Sequence, residues 1–414
     1  MVKQSTGLPS RVVYYNHSGD VSGAEISLLL TISQIKDIET ILVAPEGELL
    51  ERARSAGIRV SPIRSFRARM TKNPIHVLLG ICGTVLAGME FRRTLKILRP
   101  DIIHANSIRA GLISIVAVAG RRMTLVWHIR DTLPHNAIGR AIRKVAAIRV
   151  DEVFTISKAI RNNFASTKQL GGKATIVYNG IDTSDTKWSS IRPQFDIQED
   201  AFIVGVVGQI APWKRQHDAL LAFSQFASER QGSELWIVGE PKFRQENVDY
   251  ETRLKKWAVE LGVQESVRFL GFREDIMNIM RTIDVLLIPS ENEPFGRVVI
   301  EAMLAGKPVI GTNEGGIPEI VVHGVTGFLT DVGDTDSMSK YLRQMSDDAG
   351  LRERLGAQGR RRSIEQFSIQ STAQTIQRSY AALTSELGRK ARGEQAISAS
   401  ARRVSEQSLK GVRE

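Results

Sequence analysis

The chain of 414 residues has one cysteine, Cys82, and only 6% aromatic residues. A single thiol cannot close an intramolecular disulfide or build a cysteine-based zinc site, which fits a reducing compartment. Neither a zinc spacing nor an aromatic-and-basic RNA signature accompanies the net charge of +11, so nucleic acid is not the expected partner. Long apolar runs are also missing. The best candidate, Ile75 to Phe91, is seventeen residues with His76, Cys82 and several glycines inside it, below the roughly 20 that a membrane span needs. The stretch Met1 to Ser10 is polar and lacks the apolar core of a secretory signal. A cytoplasmic location is therefore expected.

The length exceeds what one hydrophobic core supports, and the 42% hydrophobic content comes in short runs that suit two ordinary cores. Strand-like and helical periodicities alternate, the mark of parallel sheets covered on both faces. The first half predicts strands at Arg11–Tyr15, Thr40–Val43, Ile102–Ala105, Leu125–His128, Glu152–Ile156 and Thr175–Tyr178. The second predicts Phe202–Val207, Glu234–Val238, Val267–Leu270, Val285–Ile288 and Pro308–Ile310. A polar, proline-containing stretch between Asp182 and Asp200 suits a linker. The expected division is 1–186, 187–367 and a basic, flexible tail 388–414, with a helix at 368–387 between them.

The most informative stretch is Glu293-Pro294-Phe295-Gly296-Arg297-Val298-Val299-Ile300-Glu301, which follows an apolar run ending at Ile288. It reads as strand, loop and helix N-terminus, where unpaired backbone N–H groups bind phosphate and Gly296 allows a ligand close. Glu293 falls in the loop and Glu301 about one turn into the helix, so both acids can face one anion site. A second element, Thr312-Asn313-Glu314-Gly315-Gly316-Ile317-Pro318-Glu319, repeats strand, glycine turn and helix. Two acids bracketing a phosphate site suit a nucleotide sugar, whose hydroxyls flank its diphosphate.

An E-x7-E element followed at this separation by G-G-x-P-E resembles the retaining glycosyltransferases of family 4, over nearly the whole chain except residues 60–100 and the stretch after Leu387. The resemblance implies a GT-B architecture, two facing Rossmann-like domains with parallel sheets and a ligand crevice between them. It also implies that the last helix returns to the first domain. The implied activity is retaining transfer of a sugar, of hexosyl type, from a nucleotide-diphosphate donor to a glycan or lipid-linked acceptor in cell-surface polysaccharide or glycolipid synthesis. Carried over by position, Lys214 in Gly208-Gln209-Ile210-Ala211-Pro212-Trp213-Lys214-Arg215 neutralises the diphosphate. His128 in Val126-Trp127-His128 lies over the transferred sugar, and Glu293 holds its hydroxyls. Gly23, in the glycine loop Asn16 to Glu25, supplies a backbone contact to the distal phosphate. Gln209, Arg215, Phe295, Gly296, Arg297, Val298 and Glu301 complete the donor site, with Glu301 on the ribose diol. Relatives usually carry Arg where this chain has Gln209, so Lys214 or Arg215 must carry more of the leaving-group charge. His104 could line the acceptor side or be structural. No cofactor and no metal are expected, because Asp334-Thr335-Asp336 has the spacing of a metal clamp but directly precedes a helical pattern, where aspartate caps. A GT-B epimerase or a noncatalytic partner subunit remains the alternative.

Charge is divided unevenly. Residues 1–186 hold 26 Lys+Arg against 14 Asp+Glu, and residues 187–414 hold 30 against 31, so the excess of +11 lies in the first half. Arg64, Arg67, Arg69 and Lys72 precede the apolar stretch, while Arg92, Arg93, Lys96 and Arg99 follow it; Arg140, Arg143, Lys144 and Arg149 form another cluster. An apolar segment between basic clusters can rest in an anionic membrane surface. A peripheral enzyme drawing on a lipid-linked acceptor is the resulting expectation.

Overall fold

The computed structural model describes residues 8–65, 74–184, 187–195, 197–198, 200–242 and 244–385, and of residues 74–79 the backbone alone. The expectations for residues 1–7, for Arg67, Arg69 and Lys72, and for the tail 388–414 lie outside the described residues. Two compact units form. The described residues up to His128, Lys144–Val153 and those from Ala373 make one; Ile129–Arg143 and Phe154–Thr372 make the other.

The first sheet has seven strands, β1 (Arg11–Tyr15), β2 (Glu39–Pro45), β3 (Arg59–Ile63), β4 (Ile102–Ala105), β5 (Thr124–Ile129), β6 (Glu152–Thr155) and β7 (Ala174–Ile176), in the order β3-β2-β1-β4-β5-β6-β7. The second has six, β8 (Ile203–Val207), β9 (Glu234–Val238), β10 (Val267–Gly271), β11 (Val285–Ile288), β12 (Val309–Thr312) and β13 (Gly327–Thr330), ordered β10-β9-β8-β11-β12-β13. Both orders are doubly wound: the chain starts in the middle, works outward one way, then crosses to the other side. The crossings fall between β1 and β4 and between β8 and β11, both parallel pairs. Side chains on these four strands are almost all buried, as strands covered on both faces require. Such switch points are where a doubly wound sheet binds ligands, beyond the carboxyl ends of its strands.

Two strands were not expected, β3 and β13. β3 is short, carries Pro62 and exposes Arg59 at the sheet edge, where proline is tolerated because no partner needs its N–H. Described residues of the stretch suited to a linker pack against the second unit. Ile191 is buried, its N–H bonds Thr282 Oγ1 at 2.9 Å, and Arg192 pairs with Asp284 at 2.9 Å. Arg192, one of the stretch's polar side chains, is thus engaged within the second unit. Asp334 caps the helix Thr335–Asp347 by accepting from Ser337 N–H at 3.0 Å, and Asp336 accepts from Gln225 at 2.9 Å. The Asp-x-Asp spacing is thus a helix start. From 369 to 385 the chain is helical. Within the first unit, Gln377 of this helix donates to the Lys36 carbonyl and Ser379 to Glu152.

In the first unit the helix Ile108–Ala117 begins at Ser107, which caps it and accepts the Trp127 indole N–H on its carbonyl at 2.7 Å. Gly111 lets this helix lie flat on the Trp127 ring, for a Cβ there would stand 1.8 Å from Cε2. Alanine would favour the helix by about 1 kcal/mol, but overpacking a fully buried ring costs about 1–3 kcal/mol. Gly111→Ala should therefore lower the stability of the first unit despite its better helix propensity. An unchanged urea midpoint would show that the ring can move aside.

Candidate active site

The loops after β8 and β11 face each other at the second sheet's switch point. After β8, Gly208 takes a φ of 143° and its N–H bonds the Val238 carbonyl at 2.9 Å. Gln209 then reaches sideways, its Nε2 donating to the Lys242 carbonyl at 3.0 Å. The predicted neutral contact is thus engaged with the loop beyond β9. A single 3-10 turn, Pro212–Lys214, brings the Lys214 ammonium back over Gly208, and Arg215 follows in a left-handed conformation held by Asp218 at 2.6 Å. Lys214 Nζ sits 4.5 Å above the Trp213 ring and 2.5 Å from Glu293 Oε2. Both partners are largely shielded from solvent. Sequence reasoning selected both residues but gave each a separate duty; the fold joins them in one ion pair.

After β11 the chain turns at Asn292, φ 51°, presents Glu293, and enters the helix Arg297–Leu304 through Gly296 at φ 98°. The Gly315-Gly316 turn lies directly beneath. Gly316 N–H bonds the Glu293 carbonyl at 2.7 Å, and a Cβ on Gly315 would stand 2.2 Å from that same oxygen. The second motif is therefore the floor that holds the first. Phe295 is buried against Tyr178 and Phe367, so only its backbone is available to a ligand. Glu301 pairs with Arg297 at 3.1 Å, one helical turn apart, while Arg297 Nη1 is buried with no hydrogen-bond partner. An unsatisfied guanidinium N–H at a helix N-terminus attracts an anion.

Several contributors escaped the sequence reading. Glu319 accepts from the N–H groups of Lys158 and Ala159 at 2.8 and 2.9 Å and from the Tyr178 hydroxyl at 3.0 Å. It therefore caps the helix Lys158–Phe164. Burial, with Glu319 adding to it, pushes the Tyr178 hydroxyl up to about 12. Ser157 donates to the Pro294 carbonyl at 2.7 Å, pinning the residue next to Glu293. Asp131, although accessible to solvent, has its carboxyl raised above the ordinary range, first by lost hydration and further by the Glu293 charge. Glu319 stood in a recognised motif, but its partners Lys158, Ala159 and Tyr178, like Pro294 for Ser157, are remote in the chain.

In the first unit, Gly23 opens the helix Gly23–Gln34, and Glu25 folds back to accept from Ser22 N–H at 3.1 Å. Beyond the ends of β1 and β4, Asn106 donates to Asn16 at 3.1 Å, and Asn16 donates to Glu25 at 3.2 Å. His17 lies 2.9 Å from the Ser107 hydroxyl. Burial, then the Arg109 charge, lowers the His17 imidazole to about 4, so it is neutral at physiological pH. His128 is buried near the end of β5, and His104 is buried between His128 and Tyr380.

Two family models match in tandem, Glycosyltransferase Family 4 over residues 23–185 and Glycosyl transferases group 1 over 189–362. The chain belongs to the family 4, group 1 glycosyltransferases. Its glycosyltransferase fold is similar to that of HepE from Anabaena, solved with UDP-glucose, at 26% identity and a TM-score of 0.78, covering 90% of this chain and 99% of that one. It is 29% identical over 220 residues to N-acetyl-alpha-D-glucosaminyl L-malate synthase of Bacillus anthracis, a match over 52% of this chain and 56% of that relative. It is 26% identical to the lipopolysaccharide core biosynthesis glycosyltransferase LpsD of Rhizobium meliloti, over 80% of this chain and 90% of LpsD.

For this glycosyltransferase the Lys214–Glu293 pair generates a stability test. Removing one partner of a buried pair leaves a desolvated charge, at a cost of about 3 kcal/mol or more, whereas neutralising both is close to neutral. Lys214→Met should lower the urea midpoint clearly, and Lys214→Met with Glu293→Gln should recover most of the loss. Additive losses in the double variant would mean that the two side chains do not compensate each other.

Proposed function

We propose that the protein is a retaining hexosyltransferase that moves a sugar from a nucleoside-diphosphate donor to a glycan or lipid-linked acceptor in cell-surface polysaccharide or glycolipid synthesis. The observation that carries this reading is the grouping of Lys214, Glu293 and the N-terminus of the helix Arg297–Leu304, with its unsatisfied Arg297 donor, at the carboxyl ends of β8 and β11. HepE's complex with UDP-glucose makes a uridine diphosphate sugar the first donor to test.

In this mechanism the donor diphosphate draws Lys214 away from Glu293. Lys214, Arg297 and the amides of Phe295 to Val298 then hold the phosphate oxygens, and Glu293 accepts from hydroxyls of the sugar. Glu301 takes the ribose diol, and Gly23 and Arg215 complete the phosphate contacts. The bond from the anomeric carbon to the leaving phosphate oxygen breaks through an oxocarbenium-like state. The acceptor oxygen attacks from the same face, and its proton passes to the departing phosphate. His128 contacts the transferred sugar. Preorganised N–H groups and one ammonium meet the developing charge, and the scheme includes no metal because Asp334 is committed to its helix cap.

A separate observation supports an acceptor drawn from a membrane surface. The helix Pro74–Leu98 buries Ala87, Phe91 and Leu95 but exposes Ile81, Val85, Leu86 and Met89, with Ile81 57% exposed, and continues into Arg92, Arg93 and Lys96. Among the described residues no helix is long and apolar enough to cross a membrane. An apolar face beside cations suits an anionic leaflet, at about 1 kcal/mol per cation.

Two experiments test these assignments. Lys214→Ala should lower single-turnover transfer on the order of 100-fold, as loss of a transition-state donor does, whereas Glu301→Ala should mainly weaken donor binding, about tenfold. Wild-type rates for Lys214→Ala would defeat the scheme, and conversion of donor incubated alone into another nucleotide sugar would identify an epimerase instead. In co-sedimentation, the protein should bind anionic vesicles at low salt and release at high salt, and Leu86→Glu should weaken it. No binding to anionic vesicles would remove the membrane assignment.

A further inference from the structure

In the first unit His128 ends a file of four buried polar side chains. The hydroxyls of Tyr380 and Tyr14 are 3.0 Å apart, Tyr380 Oη is 2.6 Å from His104 Nδ1, and His104 Nε2 is 3.1 Å from His128 Nδ1. None of the four is more than 2% exposed. Tyr14 lies on β1, His104 on β4, His128 on β5, and Tyr380 on the helix 369–385. The His104 ring is also tilted against Tyr14, with centroids 4.7 Å apart, and meets Tyr380 edge-on. Burial raises both phenols well above their ordinary value, so both stay protonated and act as neutral hydrogen-bonding groups.

A neutral imidazole carries one N–H, so each link in the file has one donor and one acceptor. With Tyr380 donating to Tyr14, the Tyr380 oxygen accepts from His104 Nδ1–H. His104 Nε2 is then the acceptor for His128 Nδ1–H. His128 is left with its proton on Nδ1 and a lone pair on Nε2, the form that accepts a hydrogen bond from a hydroxyl.

We propose that His104 and Tyr380 are positioning residues that fix the ring orientation and the Nδ1–H tautomer of His128, so that its Nε2 can accept from a hydroxyl of the transferred sugar. This rests on the reading of His128 as the residue that contacts that sugar. The low local dielectric makes such a file stiff, because breaking any link strands a buried polar group. A second histidine and a tyrosine from the helix 369–385 thereby make that helix part of the machinery, since its removal takes away the oxygen that orients His104.

The direct measurement uses the wild-type full chain. Histidine ring nitrogens labelled with 15N and correlated to ring protons should show His128, assigned by its loss in His128→Gln, protonated at Nδ1 and unprotonated at Nε2. A proton on Nε2 would overturn the proposal. In kinetics, Tyr380→Phe, which keeps the ring and its packing, should lower kcat about tenfold with donor KM changed less than about twofold. His104→Gln should do the same. The double variant should be no worse than the poorer single, because the two act through one file. Multiplicative losses, or a raised KM with unchanged kcat, would reduce both residues to packing. Should His104→Gln fail to fold, Tyr380→Phe and the nitrogen spectrum still decide. If the wild type transfers no sugar, the functional reading fails, and the spectrum still reports on the tautomer independently.

Discussion

The buried pairing of Lys214 with Glu293 is the interaction around which the second unit's site is built. At 2.5 Å, in an effective dielectric of about 20, the attraction amounts to several kcal/mol. Removing both ions from water costs a similar amount. The pair therefore contributes little net stability, and that near balance fits the role proposed for it, since a diphosphate bringing its own negative charge can take over the ammonium at small cost. The surroundings serve to keep the pair in place. Gly315 and Gly316 leave no side chain under Glu293, Ser157 fixes the Pro294 carbonyl, and Asp218 holds the left-handed turn that follows Lys214.

The two units share one winding order but furnish their switch points differently. Beyond β8 and β11 stand charged groups, paired or, at Arg297 Nη1, unsatisfied. Beyond β1 and β4 the amides of Asn106 and Asn16 lead to the Glu25 carboxylate, and the neutral His17 imidazole lies beside the Ser107 hydroxyl. The first arrangement suits a polyanion.

The glycine-rich second motif illustrates how a conspicuous sequence can have an indirect role. Its glycines were readable as a turn leading into a helix, and the turn is there. Their purpose is steric: the backbone of residues 293–295 passes so close that any Cβ would displace it. Glu319, at the motif's end, looks like a candidate site acid, yet its carboxylate is consumed by two amides and a phenol. Gln209 likewise donates to the Lys242 carbonyl.

Spacing within a few residues determined the alternation of strand and helix, the glycine turns, the Asp334 cap and the two acids of the Glu293–Glu301 element, because periodicity and turn chemistry are local properties of the chain. The edge strands β3 and β13 were lost to that reading, being short and mixed in polarity. Which residues meet was decided by the order in which strands join the sheets. That order brings Lys214 to Glu293 across 79 positions, Ser157 to Pro294 across 137 and Tyr380 to His104 across 276. No local pattern encodes such partners, since burial and hydrogen-bond satisfaction are settled only when distant segments share one interior.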